Sequence, residues 1–451
     1  MTHAATTLTC SVASPAMKFL HAADLHIDSP LRGLDAHEGA PVERLRGATR
    51  QAFLSLIDLA LERRVDLLIL AGDIYDGDWH DFHTGLFFHA QMVRLAGAGI
   101  SVFIARGNHD ADSQITRQLP RLPGVHVFSA RQAETRVLDH LNVAVHGRSF
   151  ARAAVSEDLA ARYPAAVPGR FNIGVLHTSL AGSPDHDAYA PTTVDTLERS
   201  GYDYWALGHI HARQIVRESA PRIIFPGNLQ GRHARETGPK GCELVTVEDG
   251  QIVATEAVAL DVVRWHRLTL DLDGLTTLEA LDECAGGALQ ALVAAQPDRL
   301  HVARVRLRGR SVLQQLDAEQ PGTLAAAVRA SALRVSNDLW IEQIESAVHL
   351  PVDRALLAGR ADAVGEVVRL TDLLLQGDDA MLQQWMLAAL ADAGGAPHLP
   401  RDLAELAPER FAPARWRALL ADAEALVLAL LQPALMADDA DADASTAPLM
   451  V

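Results

Sequence analysis

From residue 17 onward, short runs of apolar residues alternate with amphipathic stretches. Apolar runs bounded by polar turns predict buried strands at Lys18–Ala23, Asp66–Ala71 and Ser101–Ala105. Between them, apolar residues recur at three- and four-residue spacing, which predicts helices at Val42–Arg64 and His83–Ala96. Strands separated by helices in this order are typical of a layered α/β domain.

Shorter apolar runs continue the pattern and predict five more strands, at Asn142–Val145, Asn172–Leu176, Tyr204–Leu207, Ile223–Phe225 and Glu243–Thr246. The pattern changes near residue 262. Beyond it, strands at Arg264–Leu270 and Leu300–Leu307 are predicted on either side of a helix at Leu275–Ala295. From Ser311 onward, Ala, Leu and Arg recur at helical spacing.

These changes predict five segments. Residues 17–260 form the main α/β domain, 261–350 a small α+β domain and 351–436 a helical C-terminal region. We expect residues 1–16 to be an unstructured extension, and Met17, which heads the block MKFLHAADLH, is a candidate for the true start. Residues 437–451 alternate aspartates with small residues, and this composition favours a disordered acidic tail.

Composition excludes several classes of protein. The 451 residues are 49% hydrophobic, which is enough for a core and excludes a wholly disordered chain. The three cysteines lie far apart, so neither a disulfide scaffold nor a cysteine-rich zinc site is expected. Residues 1–16 do not resemble a signal peptide, and the apolar run Ala425–Ala437 is too short to cross a bilayer. We therefore expect a cytoplasmic protein without a membrane segment.

The formal net charge of −17 argues against binding nucleic acid through an overall positive field. Divalent cations and a local cluster of arginines can still reverse the field at one place. The basic side chains are nearly all arginine, with lysine only at positions 18 and 240, which we attribute mainly to genomic composition. Charge alone therefore does not decide the function.

Polar side chains directly follow five of the predicted strands, and in an α/β sheet such strand ends converge on one crevice. The residues are Asp24 and His26, then Asp73, then Asn108 with His109 and Asp110, then His177, and last His209 and His211. Each alone is most simply a helix cap, a turn residue or an ordinary hydrogen-bonded histidine. Independent caps and turns would not each stand behind their own hydrophobic strand in this order, so the set favours metal chemistry.

Carboxylate, amide and imidazole ligands without thiolate suit Mn, Fe, Zn or a similar divalent ion. The number of ligands fits two ions held by a shared carboxylate, an arrangement that activates water for attack on phosphorus. A histidine beside the ions is suited to protonating the leaving oxygen.

The segments DLH at 24–26, GDIYD at 72–76, GNHD at 107–110, His177 and GHIH at 208–211 resemble the five signatures of calcineurin-like metallophosphoesterases. The resemblance spans residues 17–260. It implies a four-layer sandwich of two mixed β-sheets flanked by helices, with an α+β cap and a helical C-terminal region. Two further segments, AADLHIDSPLRGL at 22–34 and PGNLQGRHARETGPKG at 226–241, resemble the SbcD/YhaO-type DNA-repair exonucleases.

The resemblance also implies residue roles. Asp24, His26 and His211 would bind one metal, Asn108, His177 and His209 the other, and Asp73 would bridge them. His109 would contact the scissile phosphate and assist the leaving oxygen, while Asp110 would orient His109 through its ring N–H. Some family members carry a second histidine three residues after the bridging aspartate. Here Asp76 stands at that position, and we expect it to support the ligands without acting in catalysis.

Basic residues near the crevice are candidates for holding the substrate: Arg32, Arg232, His233 and Arg235, with Lys240, and with Arg148 equally open. A solvated loop is the alternative for this cluster, and the sequence leaves both open. Relatives use their C-terminal helices to bind a coiled-coil, SMC-like ATPase of the SbcC or YhaN type, so the resemblance implies such a partner. A homodimer is left open.

The sequence therefore predicts a two-metal-dependent DNA exonuclease, a phosphodiesterase acting in DNA repair, with Mn²⁺ as the expected ion and DNA as the substrate. The alternative is a nucleotide or small-molecule phosphoesterase using the same centre. A non-catalytic scaffold is disfavoured because every expected ligand and His109 are present.

Overall fold

The computed structural model describes residues 16–29, 31, 39–76, 82–111, 122–180, 189–393 and 411–444, without the side chains of residues 82 and 432–444. The predicted extension at residues 1–16, apart from Ala16, and the candidate Arg32 lie outside these residues. The chain divides into two compact units. The first runs to His266 and includes Asp298–Val302, and the second contains Arg267–Pro297 and the chain from Ala303 onward.

Two six-stranded sheets form the first unit. Its described strands are β1 (Met17–Ala22), β2 (Leu67–Ala71), β3 (Ser101–Ala105), β4 (Val125–Val127), β5 (Glu134–Leu138), β6 (Val143–Gly147), β7 (Phe171–His177), β8 (Tyr204–Gly208), β9 (Gln214–Arg217), β10 (Arg222–Phe225), β11 (Gly241–Glu248) and β12 (Gln251–Ala259). The first sheet has the order β12-β11-β1-β2-β3-β4 and the second the order β5-β6-β7-β8-β10-β9. The first sheet has antiparallel pairings on one side of its parallel strands, and the second has them on both sides, so both sheets are mixed.

The alternation of side chains along the strands explains how the layers pack. In β1, Phe19 belongs to a core shared by the two sheets, together with Ile173 of β7, whereas Leu20 belongs to a core under the helices. Those helices are α1 (Val42–Arg63) and α2 (Phe82–Gly97), and a short helix α3 (Val194–Arg199) packs on the other side, against the second sheet. The expected four-layer sandwich is confirmed.

The predicted strands all lie within the sheets, with bounds shifted by one or two residues. The sequence did not indicate β4, β5, β9 and β12, each of which lies at the edge of a sheet. Edge strands are only partly covered: in β12 every residue is at least partly exposed. Their sequences therefore lack the continuous apolar run that identifies a buried strand.

The second unit contains most of a three-stranded sheet in the order β13-β14-β15, whose strands are β13 (Val263–Asp271), β14 (Leu300–Arg310) and β15 (Leu339–His349). The first residues of β13 and β14 belong to the first unit. Helices α4 (Leu278–Ala294), α5 (Leu313–Glu319) and α6 (Thr323–Val335) bury apolar residues in the core of this sheet. The sequence predicted β13, α4 and β14. It missed β15, where buried Leu339 and Ile341 alternate with more polar positions inside a region predicted to be helical.

The C-terminal region is helical: α7 (Arg354–Ala358), α8 (Ala363–Gln376), α9 (Asp379–Ala393) and α10 (Pro413–Ala444). Helix α10 includes residues 437–444, which we expected to be disordered, so that expectation is wrong for these residues. The alanines of this segment have the highest helix propensity, whereas its aspartates are weak helix formers. Residues 445–451 lie outside the described chain. Among the described helices, none combines the length and the hydropathy needed to cross a bilayer.

Candidate metal centre

The candidate ligands are brought together where strands of the two sheets end. The backbone N–H of His209, after β8, donates to Asp24 Oδ2, after β1, over 3.0 Å. His177, at the end of β7, donates from Nδ1 to the carbonyl oxygen of Ala71 at the end of β2, over 2.9 Å. The convergence of strand ends predicted from the sequence is thus present between two sheets rather than within one.

The backbone at this edge adopts conformations that side chains normally avoid. Asp24, His26, Asp73 and His209 have φ values of 52°, 44°, 52° and 105°. Left-handed backbone at non-glycine residues costs free energy and is concentrated at functional sites. Gly208 is required for a different reason: a Cβ there would lie 1.9 Å from the oxygen of Ala71. The loops are therefore shaped to bring polar side chains together at close range.

One group of ligands surrounds His177, which is fully buried. Its Nε2 lies 2.9 Å from Asn108 Oδ1 and 3.4 Å from Asp73 Oδ2. Because Nδ1 donates to a carbonyl that can only accept, Nε2 is the nitrogen that faces these oxygens, either with a proton or with a lone pair available to a metal ion. Two oxygens and one ring nitrogen thus share one small space. The ring of His209 lies beside His177, with 5.3 Å between the ring centroids. We call Asn108, His177 and His209 the second metal position.

A second group consists of Asp24, His26 and His211, which we call the first metal position. The Nε2 atoms of the two histidines are 3.3 Å apart, and His211 Nε2 is 3.7 Å from Asp24 Oδ1. Each histidine donates a hydrogen bond from Nδ1 to a carboxylate. His26 donates to Asp76 over 2.5 Å, and His211 donates to Glu236 over 2.6 Å. An ionised carboxylate only accepts hydrogen bonds, so Nδ1 carries the proton and two Nε2 lone pairs converge.

Such convergence of lone pairs is repulsive unless a cation lies between them, so it tests whether these residues fit metal ions. Ligand atoms about 2.1 Å from an ion, at octahedral or tetrahedral angles, lie about 3.0–3.4 Å apart. The contacts described above range from 2.9 to 3.7 Å. Asp24 and Asp73 also form a group with His177, within reach of a common ion. The residues therefore fit a pair of divalent cations held by oxygen and imidazole nitrogen.

The electrostatics agree with a site built for positive charge. Burial alone would lower the pKa of His177, but the charge and hydrogen bond of Asp73 outweigh it and raise the pKa to about 9. Burial acts to raise the pKa of Asp73, yet His177, with weaker contributions from His26 and His109, holds it below its ordinary value. Without a metal ion, a proton on His177 therefore balances the carboxylate of Asp73, the candidate bridging residue.

His109 lies at the open side of the centre. Its side chain is 44% exposed, and its Nδ1 is 3.5 Å from Asp76 Oδ1. Its backbone N–H donates to Asp73 Oδ1 over 3.0 Å, which ties the GNHD turn to the candidate bridging residue. Of the candidate histidines at this edge, His109 thus has the most exposed ring, ahead of His211 at 25%.

Asp110 does not have the role that the resemblance implied. Its carboxylate is buried and accepts the backbone N–H groups of Ile74, Tyr75 and Gly107 over 3.0–3.1 Å. Burial, together with the charge of Asp73, raises its pKa to about 6. The expectation that Asp110 orients His109 is therefore wrong: the carboxylate beside the His109 ring is Asp76, and Asp110 joins the loops after β2 and β3.

Glu236 was not among the predicted site residues, although it lies in the segment 226–241 that resembles the DNA-repair exonucleases. Glu236 accepts from His211, from Asn228 Nδ2 over 3.0 Å and from the backbone N–H of Arg232 over 2.7 Å. Burial raises its pKa, but the hydrogen bond from His211 and the charge of Arg232 lower it further, so the net shift is downward. An acid within a basic, glycine-rich segment was the available signal.

The basic candidates separate into two kinds. Arg232 is largely buried and contacts Asp76 Oδ2 over 3.2 Å, so it belongs to the support of the first metal position. Lys240 is buried too, and its Nζ donates to the carbonyl oxygen of His211 over 2.7 Å. His233 and Arg235 are exposed. Of the four predicted substrate contacts, these last two present a side chain to solvent, and Arg32 lies outside the described residues.

Comparison with known proteins agrees with the fold and the ligand geometry. Residues 17–213 match the family model described as calcineurin-like phosphoesterase, and residues 265–349 match that of the middle domain of the metallophosphoesterase YhaO. The first part of the chain is thus similar to the calcineurin-like phosphoesterases, and the segment after it is similar to the middle domain of YhaO.

Individual relatives fall in the same group. The chain is 39% identical over 269 residues to a protein described as uncharacterized metallophosphoesterase YhaO from Bacillus subtilis (59% of this chain and 65% of the relative). It is 24% identical to the DNA double-strand break repair protein Mre11 of Sulfurisphaera tokodaii (57% and 66%). It is 23% identical to one of the subunits of the nuclease SbcCD from Escherichia coli (55% and 69%). The chain therefore spans about two thirds of the length of these relatives.

Proposed function

We propose that this protein is a two-metal-dependent phosphodiesterase that cuts DNA from its ends. The observation that carries the proposal is the pair of facing Nε2 atoms of His26 and His211, each with its other nitrogen held by a carboxylate. This arrangement suits a divalent metal ion held between the two nitrogens. The ligand atoms of the second position complete a dinuclear centre of the kind that hydrolyses phosphate esters.

Two divalent ions, with Mn²⁺ as the proposed identity, would polarise the phosphodiester and activate a water for in-line attack. Asp73 would hold the ions together, and the remaining ligands would fix their positions. His109, exposed beside the ligands, would contact the phosphate and donate a proton to the leaving oxygen. Asp76 would orient the His109 ring from its Nδ1 side.

DNA is the proposed substrate because the relatives include proteins described as a DNA repair protein and as part of a nuclease. The exposed Arg235 lies in the same segment as Arg232, which contacts Asp76, and it supplies positive charge near the centre in an otherwise acidic protein. His233 beside it is also exposed, but burial of part of its ring lowers its pKa, so it is a candidate for hydrogen bonding to the substrate as a neutral ring. We place this activity in DNA repair in the cytoplasm.

We also propose that the C-terminal region binds an SMC-like ATPase of the SbcC or YhaN type. Helices α8 and α10 expose leucines that a soluble monomer would bury, among them Leu373 at 63% and Leu430 at 50% exposure. Mixing the protein with such an ATPase should give a stable complex, and Leu373→Glu should weaken it. A complex of equal affinity with Leu373→Glu would contradict this interface.

End-labelled linear duplex DNA, incubated with the Mn²⁺-loaded protein, tests the activity. We expect release of labelled nucleotides by the parent protein and none by His109→Ala at equal metal content. The same preparations are given free nucleotides and a phosphomonoester. If the protein hydrolyses these small substrates but leaves the DNA uncut, both alone and with the ATPase added, the result would favour the nucleotide phosphoesterase and contradict the proposal.

A further inference from the structure

The three-stranded sheet of the second unit has one face under helices and one face toward solvent. On its central strand β14, alternate residues are buried in the core that α4, α5 and α6 complete, namely Ala303, Val305 and Leu307. Because side chains alternate along a strand, the residues between and after them point to the opposite face. These are Arg304, Arg306 and Arg308. The outward face of β14 is thus a row of arginines.

The sheet as a whole is positively charged, in a chain where 57 acidic residues outnumber 40 basic ones. Its three strands contain six arginines against three carboxylates, those of Asp271, Glu342 and Glu345. On the neighbouring strand β13, Leu268 and Leu270 pack into the core, so the exposed Arg267 lies on the same face as the arginines of β14. The arginine row is therefore a local exception to the acidic character of the protein.

The carboxylates of the sheet neutralise only part of this charge. Arg304 donates to both oxygens of Glu342, over 2.9 and 2.7 Å, and is held in place by that pair. Arg308 contacts Asp271 at 3.2 Å, but both side chains are more than half exposed, so water screens the pair. In the part of the chain that the structure describes, no acidic side chain pairs with Arg306 or Arg267.

Strand β15 adds an aromatic ring to the same face. Leu339 and Ile341 are buried in the core, so Trp340 between them points toward the arginine side, where it is partly exposed. Residues on one face of a strand are about 6.6 Å apart, a spacing that lets successive guanidinium groups meet successive phosphates of an extended chain. Arginine binds phosphate bidentately, and an aromatic ring stacks on an unpaired base.

A broad sheet face suits a single strand better than a duplex. The major groove of a duplex admits a helix or a two-stranded ribbon, and a three-stranded sheet backed by helices does not fit it. A single strand can lie across the sheet with its backbone on the arginines and a base on Trp340. An acidic peptide would match the charge but offers no base to stack on the ring.

We infer that this surface, formed by Arg267, Arg304, Arg306, Arg308 and Trp340 and called here the arginine face, binds single-stranded DNA. The inference rests on the proposed function for the identity of the nucleic acid. It adds a binding surface that lies in the second unit, whereas the candidate metal ligands all belong to the first.

The test is fluorescence anisotropy of the full-length protein with a labelled oligothymidylate of about 20 nucleotides. EDTA is present so that binding is measured without cleavage. Arg306→Gln removes one phosphate contact, so we expect affinity to fall about fivefold at about 0.1 M salt. The plot of log affinity against log salt should become less steep by about 0.7. Arg267→Gln added to it should weaken binding about fivefold again.

The matched control is Arg329→Gln, which removes an exposed arginine from α6, on the helix-covered side of the sheet. It should leave both the affinity and the salt dependence unchanged, and circular dichroism checks the folding of every variant. Trp340→Leu should weaken binding of the oligothymidylate about fivefold or more, through lost stacking, while leaving the salt dependence as in the parent.

Equal affinities of the parent, Arg306→Gln and Arg329→Gln for the oligothymidylate would overturn the inference. Competition by polyglutamate as strong as that by unlabelled oligothymidylate of equal charge would also overturn it, and would assign the surface to an acidic protein. Failure of the proposed function gives a different result. DNA that binds through the arginine face but stays uncut in Mn²⁺ would contradict the nuclease and support the binding surface.

Discussion

Two fully buried histidines of the first unit, His21 and His177, show how one environment excludes a charge and the other requires it. His21, on β1, lies between the sheets, where it hydrogen-bonds Tyr204 Oη over 3.0 Å and the oxygen of Leu207 over 3.1 Å. Burial lowers its pKa to about 3, against a small opposing contribution from the Leu207 bond. His177, at the edge of the sheets, is equally buried but has a pKa raised to about 9.

The difference lies in the neighbouring carboxylates and not in burial. Both rings have a hydrogen bond to a backbone carbonyl, but Asp73 lies 3.4 Å from His177 and the polar contacts of His21 are to neutral groups. Burial penalises charge at both histidines, and a charged partner reverses the balance at only one. The hydrogen-bond partners of His21 are thus neutral, whereas His177 at the edge lies beside a carboxylate.

The largest expected effect comes from removing the charge that distinguishes the edge. Asp73→Asn should lose most of its bound metal and at least about 100-fold of its activity, because an amide is a poor bridge between cations. Metal analysis after dialysis, with circular dichroism to check folding, measures this. Full occupancy of both positions would show that the carboxylate of Asp73 is dispensable.

A smaller loss, confined to catalysis, is expected at the exposed histidine of the same edge. His109→Ala should lower kcat by about 10²- to 10⁴-fold while the metal content stays equal to that of the parent, since the ring would act on the substrate rather than on the ions. Phosphodiesterase assays at saturating Mn²⁺ measure the fall in kcat, and metal analysis measures the metal content. A matching fall in metal content would instead make His109 a ligand.

The smallest effect is expected in the interior. The folded-state pKa of His21 lies below its ordinary 6.5, so the unfolded chain binds the proton first. Stability from a neutral His21 is therefore present above about pH 6.5 and is lost as the pH falls toward 3, by up to about 1.4 kcal/mol per pH unit.

His21→Gln offers a test, because glutamine can keep a donor and an acceptor but does not titrate. Urea unfolding of the metal-free proteins between pH 7 and pH 5 should show a steeper loss of the free energy of unfolding in the parent than in the variant. Parallel pH dependences of the two proteins would mean that His21 is not held neutral.

Much of the centre could be predicted from local sequence. Asp24, His26, Asp73, Asn108, His177, His209 and His211 each follow a hydrophobic strand, and the structure brings all seven to one edge. The prediction worked because strand direction determines where the residue after a strand lies. It failed for Asp110, whose place beside His109 in the chain says nothing about its partners. The carboxylate of Asp110 accepts three backbone N–H groups, and two of these, from Ile74 and Tyr75, belong to the loop after β2.

Glu236 and Arg232 also show that local sequence does not reveal the partners of a side chain. They lie far along the chain from His26 and Asp76, and only the packing of the segment after β10 against the other loops brings them there. In the second unit, β15 was missed because its alternation is clear only when one face is known to be covered.

By itself, the sequence determined the order of the buried strands and main helices of the first unit and the identity of the candidate metal ligands, because hydrophobic periodicity and the residues at strand ends are local properties of the chain. The tertiary structure decided which carboxylate faces which histidine: Asp73 at His177, Asp76 at His26 and Glu236 at His211. It also decided that the hydrogen-bond partners of His21 are neutral groups. Partners distant in sequence set these pKa values and lone-pair directions, because electrostatic interactions inside a protein depend on separations of a few ångströms that only the packed chain defines.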